Sequence, residues 1–244
     1  MIIIKIGGSV ITDKSSYRKF KPDVMKGISD VLKRLNDRLI IIHGAGSFGH
    51  LQAKEFGLPS WISERAIRGY SIVHRDVLDL NLRVIDFLIS SGLNPITVSP
   101  SDTIGERMST STILHFTEAG FTPVTHGDVF MKGDRLEIIS GDTLAMILAR
   151  KLKPKAVIFL SDVDGVFSAD PKISDESRIL RDLSGDMEFS SPVGDVTGGM
   201  ELKVQMMRII FKYASSVYLL NGNFPERMLH LEDPLLVGTR MIRN

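Results

Sequence analysis

The feature that most restricts the fold is a set of short apolar runs, each too short for a helix, separated by stretches of helical period. Ile2–Ile6 and Leu39–Ile42 are such runs, and Ala156–Leu160 and Ser216–Leu220 repeat the type. Strands covered on both faces read this way, as near-continuous apolar stretches rather than alternations. Between the first two, Pro22–Leu35 sets Val24, Ile28, Val31, Leu32 and Leu35 on one helical face, giving a βαβ unit.

The alternation continues along the chain. Ser60–Ser91 is a long helical region, expected to break near Gly69, and Pro95–Val98 reads as a strand. Thr122–Thr125, Val129–Met131 and Leu136–Ile139 are short runs among Gly-Asp pairs, as in a hairpin-rich excursion. Asp142–Lys151 and Met200–Ala214 have helical character. The expected fold is therefore α/β, a three-layer sandwich whose mostly parallel central sheet carries helices on both faces, with ligand loops at the carboxyl ends of its strands. With 244 residues and no linker-like tract, a single domain over 1–244 is expected, with an acceptor-binding lobe at about 1–140 and a nucleotide-binding lobe at about 141–244.

Glycine and polar residues collect at the strand ends. Lys5–Ser9 reads "KIGGS", 43–50 "HGAGSFGH", 140–142 "SGD", 161–167 "SDVDGVF", and 197–203 "TGGMELK" opens the helix before the last apolar run. Glycine permits close backbone approach, and helix N-termini direct unpaired N–H groups at anions, so five such junctions on one sheet point to a polyphosphate. A single βα turn uses glycine for geometry as readily as for binding.

No Walker A loop occurs. "GAGSFG" fits the dinucleotide fingerprint G-x-G-x-x-G, but the acidic residue expected about 20 residues on would fall near Arg65–Ser71, inside a helix, and the first strand carries its own "GGS". A Rossmann oxidoreductase is thus the weaker alternative.

Lys+Arg 30 against Asp+Glu 29 excludes the broad basic surface of a nonspecific nucleic-acid binder, so any anion must be met locally. The absence of cysteine excludes disulfides and thiolate chemistry. "MIIIKIGGS" is short and early interrupted for a signal peptide, and no apolar stretch reaches membrane-spanning length, so a soluble cytoplasmic protein with no membrane partner is expected.

In their order, "KIGGS", "HGAGSFGH", "SGDTLA", "SDVDGVF", "GGMELK" and the terminal "GTRM" resemble the amino acid kinase superfamily over essentially the whole chain. Lys14 in "ITDKS", His50 and "PVTHGDV" at Pro123–Val129 make it most similar to the superfamily's isopentenyl phosphate kinases, which act with ATP in an alternative archaeal mevalonate route of isoprenoid biosynthesis. A phosphonate kinase of the fosfomycin-resistance type, which shares the loop histidine, is the nearest rival; a non-catalytic nucleotide sensor is a reading of a different class.

The resemblance implies a division of labour. Lys5, Lys14, His50, Asp142 and Lys203 would be catalytic: Lys5 and Lys203 on the ATP phosphates, Lys14 at the γ-phosphate, Asp142 orienting the two lysines, His50 gripping the acceptor phosphate. ATP would lie against Lys5, Gly7, Gly8, Ser9, Gly46, Asp162, Asp164, Gly165, Gly199 and Lys203. The acceptor would meet Ala45, Gly46, Gly49 and His50 at its phosphate, the first three through backbone N–H groups, and Gly127, Gly141, Tyr70, Val73 and Ile139 elsewhere. Mg²⁺ would be held by the ATP phosphates with no protein metal ligand, and the chain would form a homodimer through the helix after the glycine loop.

Each residue also has a plainer reading. Asp142 could be the N-cap of Thr143–Lys151, His50 could pack on its own helical turn, and the stripe Tyr70, Val73, His74, Val77 could simply cover the sheet. His43 is read as structural. Asp170–Ser191, rich in charge and serine, is expected to be a flap over the nucleotide.

Overall fold

A computed structural model describes residues 1–100, 110–168, 177–183 and 198–242. In chain order the elements are β1 (Ile2–Ile6), α1 (Gly8–Ile11), α2 (Pro22–Arg34), β2 (Leu39–His43), α3 (His50–Phe56), β3 (Ser60–Trp61), α4 (Glu64–Ser90), β4 (Pro95–Thr97), α5 (Thr110–Glu118), β5 (Thr122–His126), β6 (Asp128–Lys132), β7 (Arg135–Ile139), α6 (Gly141–Leu152), β8 (Ala156–Ser161), α7 (Gly198–Phe211), β9 (Ser216–Asn221) and β10 (Thr239–Ile242). The main sheet has the order β10-β9-β8-β1-β2-β5-β4. Its pairs are parallel except β10 against β9. The expected α/β sandwich is present, with the excursion forming a small antiparallel sheet β3-β7-β6.

The pleat of β1 places the chemistry. Ile2, Ile4 and Ile6 enter one core with Met25, Ile28 and Leu32 of α2 and Leu80, Val84 and Leu88 of α4. Ile3 points the other way, into a second core with Leu144 and Leu148 of α6 and Met207 and Ile210 of α7. Because successive residues alternate, Lys5 emerges on the side of α6 and α7. β2 obeys the same rule: Leu39 and Ile41 join the first core and Ile40 and Ile42 the second, so His43 faces α4.

Gly69 does not break a helix. α4 runs unbroken from an N-cap at Ser63, whose hydroxyl accepts from Ala66 N–H, and the helical region begins at Glu64 because Ser60–Trp61 is drawn off as a strand against β7. A Cβ on Gly69 would come within 2.3 Å of Phe56 Cβ. The glycine lets α3 pack closely on α4, which outweighs its cost of about 1 kcal/mol in a helix interior. Of the expected flap, only residues 177–183 are among those described.

Candidate active site

The carboxyl ends of β1, β2 and β8 open toward one another around the first two glycine loops. A Cβ on Gly8 would fall 2.3 Å from Gly46 N, one on Gly44 2.7 Å from Gly8 N, and one on Gly7 2.8 Å from Leu160 O. These glycines bring three strand ends into direct backbone contact. Thr12 pins the arrangement: its hydroxyl donates to Gly8 O at 2.7 Å and accepts from Ser47 N–H at 3.0 Å. The residue belongs to no glycine motif, and the sequence reading missed it.

Asp142 lies in the first turn of α6. Ser140 is the N-cap, accepting from Thr143 N–H at 3.0 Å, so the expectation that Asp142 could cap the helix is corrected. Freed from capping, its carboxylate spans two cations, Lys5 Nζ at 2.7 Å from Oδ1 and Lys203 Nζ at 3.4 Å from Oδ2. Gly141 makes room, since a Cβ there would meet Lys5 Cε at 3.2 Å. Lys203 also lies over the Phe159 ring. Burial, and then the neighbouring Lys203, push the Lys5 ammonium below its usual range, against the pull of Asp142. Burial alone would raise the Asp142 carboxyl, but the two lysines hold it below the ordinary range.

Lys14 stands on the loop after α1, exposed, with Asp162 Oδ2 3.1 Å away. Burial would raise the Asp162 carboxyl; Lys14, together with Ser9, brings it below the ordinary range. His50 opens α3 directly after the glycine loop. Its ring reaches solvent, yet desolvation by the surrounding protein, then Lys5 and Lys14, lower its pKa. His50 therefore lies in the field of both cations, and the unliganded ring is neutral near pH 7. The set Lys5, Lys14, His50, Asp142 and Lys203 is gathered from four separate elements and one loop.

Other assignments shift. Gly49 does not offer its N–H to a ligand: it turns back to Gly46 O at 3.2 Å, as Phe48 N–H does to Ala45 O at 3.1 Å. Gly49 instead serves packing, a Cβ there meeting Ala45 Cβ at 2.5 Å. Asp164 accepts from Arg227 at 2.5 Å and Asn221 at 3.2 Å, which ties its loop to the end of β9. Gly165 packs on Thr239, whose hydroxyl accepts from Val166 N–H and donates to Leu180 O, both at 2.8 Å. The terminal "GTRM" thus braces the 161–167 loop. Gly127 N–H donates to His43 O at 2.9 Å and holds β6 beside the site. Gly199 lies in the first turn of α7.

Beside the glycine loop, Val73 and Val77 of α4 pack on Val129 and Leu136, with Tyr70 partly buried against them. Ile139, buried, belongs to the second core. His74 is not simply wall. Its Nδ1 lies 2.7 Å from Asp128 Oδ2, and Asp128, 2% exposed, also accepts from its own neighbour Val129 N–H at 2.8 Å. His43 stacks on His126 at 5.4 Å, with its Nε2 3.2 Å from Asn81 Oδ1. Both rings are buried, and His126 is pushed by burial, then by His43, down to about 3. His43 is structural, as the sequence indicates. Among the described residues no helix is long and apolar enough to cross a membrane, and no group of three or more His, Cys, Asp or Glu side chains converges as a metal site.

The amino acid kinase family profile matches residues 1–221. The chain is 42% identical to an isopentenyl phosphate kinase of Thermoplasma acidophilum over 98% of its own length and 99% of that protein's. A second, from Methanothermobacter thermautotrophicus, is 34% identical over 99% and 98% of the two chains. A crystal structure of an isopentenyl phosphate kinase substrate complex superposes with a TM-score of 0.91 at 40% identity, covering 99% of both chains.

Proposed function

Because the chain belongs to the amino acid kinase family, and within it to the isopentenyl phosphate kinases, we propose that it transfers the γ-phosphoryl group of ATP to isopentenyl phosphate, giving isopentenyl diphosphate and ADP. The observation that carries this reading is His50, set on a glycine loop at a strand end and felt by both Lys5 and Lys14.

The chemistry needs little acid–base help. A phosphate monoester with a second pKa near 6 is largely a dianion at pH 7 and already nucleophilic. Asp142, occupied by two lysines, is placed to orient cations, and no base is required. The obstacle is bringing that dianion to the γ-phosphate, a repulsion of about 4 kcal/mol per charge pair at ~4 Å and an effective dielectric near 20. Lys5, Lys14 and Lys203 offset it, and His50 donates a ring N–H to the acceptor phosphate, with backbone N–H groups of Ala45 and Gly46 beside it. Lys203 faces charge departing toward the β-phosphate and Lys5 bridges to the group in flight.

ATP lies, in this proposal, over Gly7, Gly8 and Ser9, and against the Asp162–Gly165 loop and the start of α7, so that the acceptor occupies the N-terminal lobe and the nucleotide the C-terminal one. The carboxylates of Asp142 and Asp162 are engaged by lysines, so Mg²⁺ would be held by the ATP phosphates and water, where it would supply charge neutralisation. The five-carbon tail meets Tyr70, Val73 and Ile139, where burying it contributes very roughly 4 kcal/mol. That margin favours this ester over inorganic phosphate.

A homodimer belongs to the same proposal. Ile67, Leu78, Leu82 and Ile89 are exposed on α4. At about 100° per residue they fall in one stripe roughly 60° wide, a seam that a second copy of α4 would cover. As a kinase drawing on ATP, the protein is assigned to the cytoplasm.

The test is ATP-dependent turnover of isopentenyl phosphate against fosfomycin, uridylate, acetylglutamate and carbamate, with His50→Ala beside wild type. Preferred conversion of isopentenyl phosphate, falling on the order of 100-fold in the variant, is expected. Faster turnover of fosfomycin would transfer the assignment to the phosphonate rival, and ATP binding without turnover of any acceptor would favour the sensor.

A further inference from the structure

Lys14 is poorly held by its own surroundings. Its side chain is 70% exposed, and among the described residues its ion pair is with a half-exposed Asp162. The loop carrying it nevertheless has a defined shape. Asp13 N–H donates to Lys19 O at 2.9 Å, Lys21 N–H to Ile11 O at 2.8 Å, and the Asp13 carboxylate accepts from both Ser15 N–H and Ser15 Oγ. These bonds close the loop on itself without fixing where it points.

The tip supplies that. Tyr17 and Arg18, the latter at φ +55, reach across to α4. Tyr17 donates its hydroxyl to Asp76 Oδ2 at 2.5 Å; Arg18 Nε lies 3.5 Å from Asp76 Oδ1, and its Nη2 2.7 Å from Asp79. Arg75 gives two hydrogen bonds to Asp76 Oδ1, and Arg83 Nε gives one at 3.2 Å to Asp79 Oδ2, the oxygen that Arg18 also reaches. Arg18 and Arg83 both lie over the ring of Phe48 in the glycine loop, and Arg18 N–H donates to Ser47 O. Asp76 is 0% exposed. A buried carboxylate costs several kcal/mol unless fully paired, and a leucine would cover the helix more cheaply. Its worth must lie in what it holds.

We propose that Asp76 is a positioning residue for phosphoryl transfer: with Tyr17 and Arg18 it clamps the Lys14 loop to α4 and to the glycine loop, and thereby aims Lys14 at the transferring group. This rests on the assignment of Lys14 to that group above. The clamp touches neither substrate, so removing it leaves binding intact and misplaces one cation; misplacement by about 1 Å can cost on the order of 100-fold.

The experiment is a kinetic double-mutant cycle of Asp76→Asn with Lys14→Ala, repeated with Tyr17→Phe, an exposed position that serves should Asp76→Asn fail to fold. Expected is a fall in kcat of about 10-fold for Asp76→Asn with both KM values within ~3-fold, shrinking to under about 2-fold when Lys14 is already alanine. Equal losses in both backgrounds, or an unchanged kcat, would overturn the proposal. Hydrogen exchange read over residues 13–20 and over α4 separates this from failure of the acceptor assignment. Should wild type not turn over isopentenyl phosphate, faster exchange confined to the loop in Asp76→Asn still supports the clamp, whereas identical exchange refutes it.

Discussion

On the side proposed for the nucleotide, Lys5 is buried and Asp142 and Lys203 partly buried as ions, each facing an opposite charge within 3.4 Å. On the side proposed for the acceptor His43 and His126 are buried more deeply still, 0% and 1% exposed, but as neutral rings among dipoles and each other. The difference follows from what each region receives. Burying an ion is tolerable only beside a counter-ion, and the nucleotide side must keep cations ready where charge develops. In the proposed function the acceptor side backs onto a site for a dianion, where uncharged rings would neither compete with Lys14 and His50 for it nor repel it.

Removing Asp142 should break the contrast most sharply. Asp142→Asn leaves a buried and a partly buried lysine unanswered, and we expect a loss of about 3 kcal/mol in stability together with a fall in kcat on the order of 100-fold or more. Urea unfolding and turnover assays measure both; Lys14→Ala, by comparison, should leave the unfolding midpoint unmoved. Unchanged stability in Asp142→Asn would mean that the ions on this side are not mutually dependent.

Acid should expose the neutral half. His126 titrates at about 3 when folded and near 6.5 when unfolded. Above pH 6.5 neither state binds its proton; below it the unfolded chain does so first, so stability is lost as pH falls from about 6.5 toward 3, by at most on the order of 5 kcal/mol. His126→Gln removes that proton uptake, and denaturation curves across this window should show a shallower slope than wild type. Parallel slopes would argue that the wild-type ring is not buried neutral.

The smallest effect sharpens the boundary between the regions. In NMR titrations of the unliganded protein, His50 should protonate below the usual histidine range, and Lys14→Ala should raise its midpoint, as removal of a neighbouring cation does. A midpoint indifferent to Lys14 would place that cation outside the acceptor region.

How much of this was legible before folding depends on the range of the interaction. β1, β2, β8 and β9 are announced by their own apolar runs, and the strand-end loops by their glycines, because those signals are local. That Lys5 faces α6 follows from the pleat alone. The Ser140 cap left Asp142 open to two readings, since either residue type can cap, and three-dimensional placement decided between them. Gly69 looks like a helix break until Phe56 is set against it. The clamp was invisible: Tyr17 and Arg18 meet Asp76 and Asp79 across about sixty residues, and charges on a helix read as a solvated face until a loop is laid over them. Thr12 escaped notice for the same reason, and Thr239 is seen in sequence only as part of the terminal motif, each bridging segments distant in sequence.

The uninterrupted α4, 27 residues and about 40 Å long, carries its tasks on separate sectors. Tyr70 and Val73 lie on the sector proposed for the acceptor tail, Asp76, Asp79 and Arg83 face the loop, and Leu78 and Leu82 point outward. On those two proposals, residues of the first sector could change, and with them the shape of molecule accepted, while the second kept the aim of Lys14 unaltered. In such a scaffold, selectivity and catalytic geometry are heritable as separate traits written on one rod.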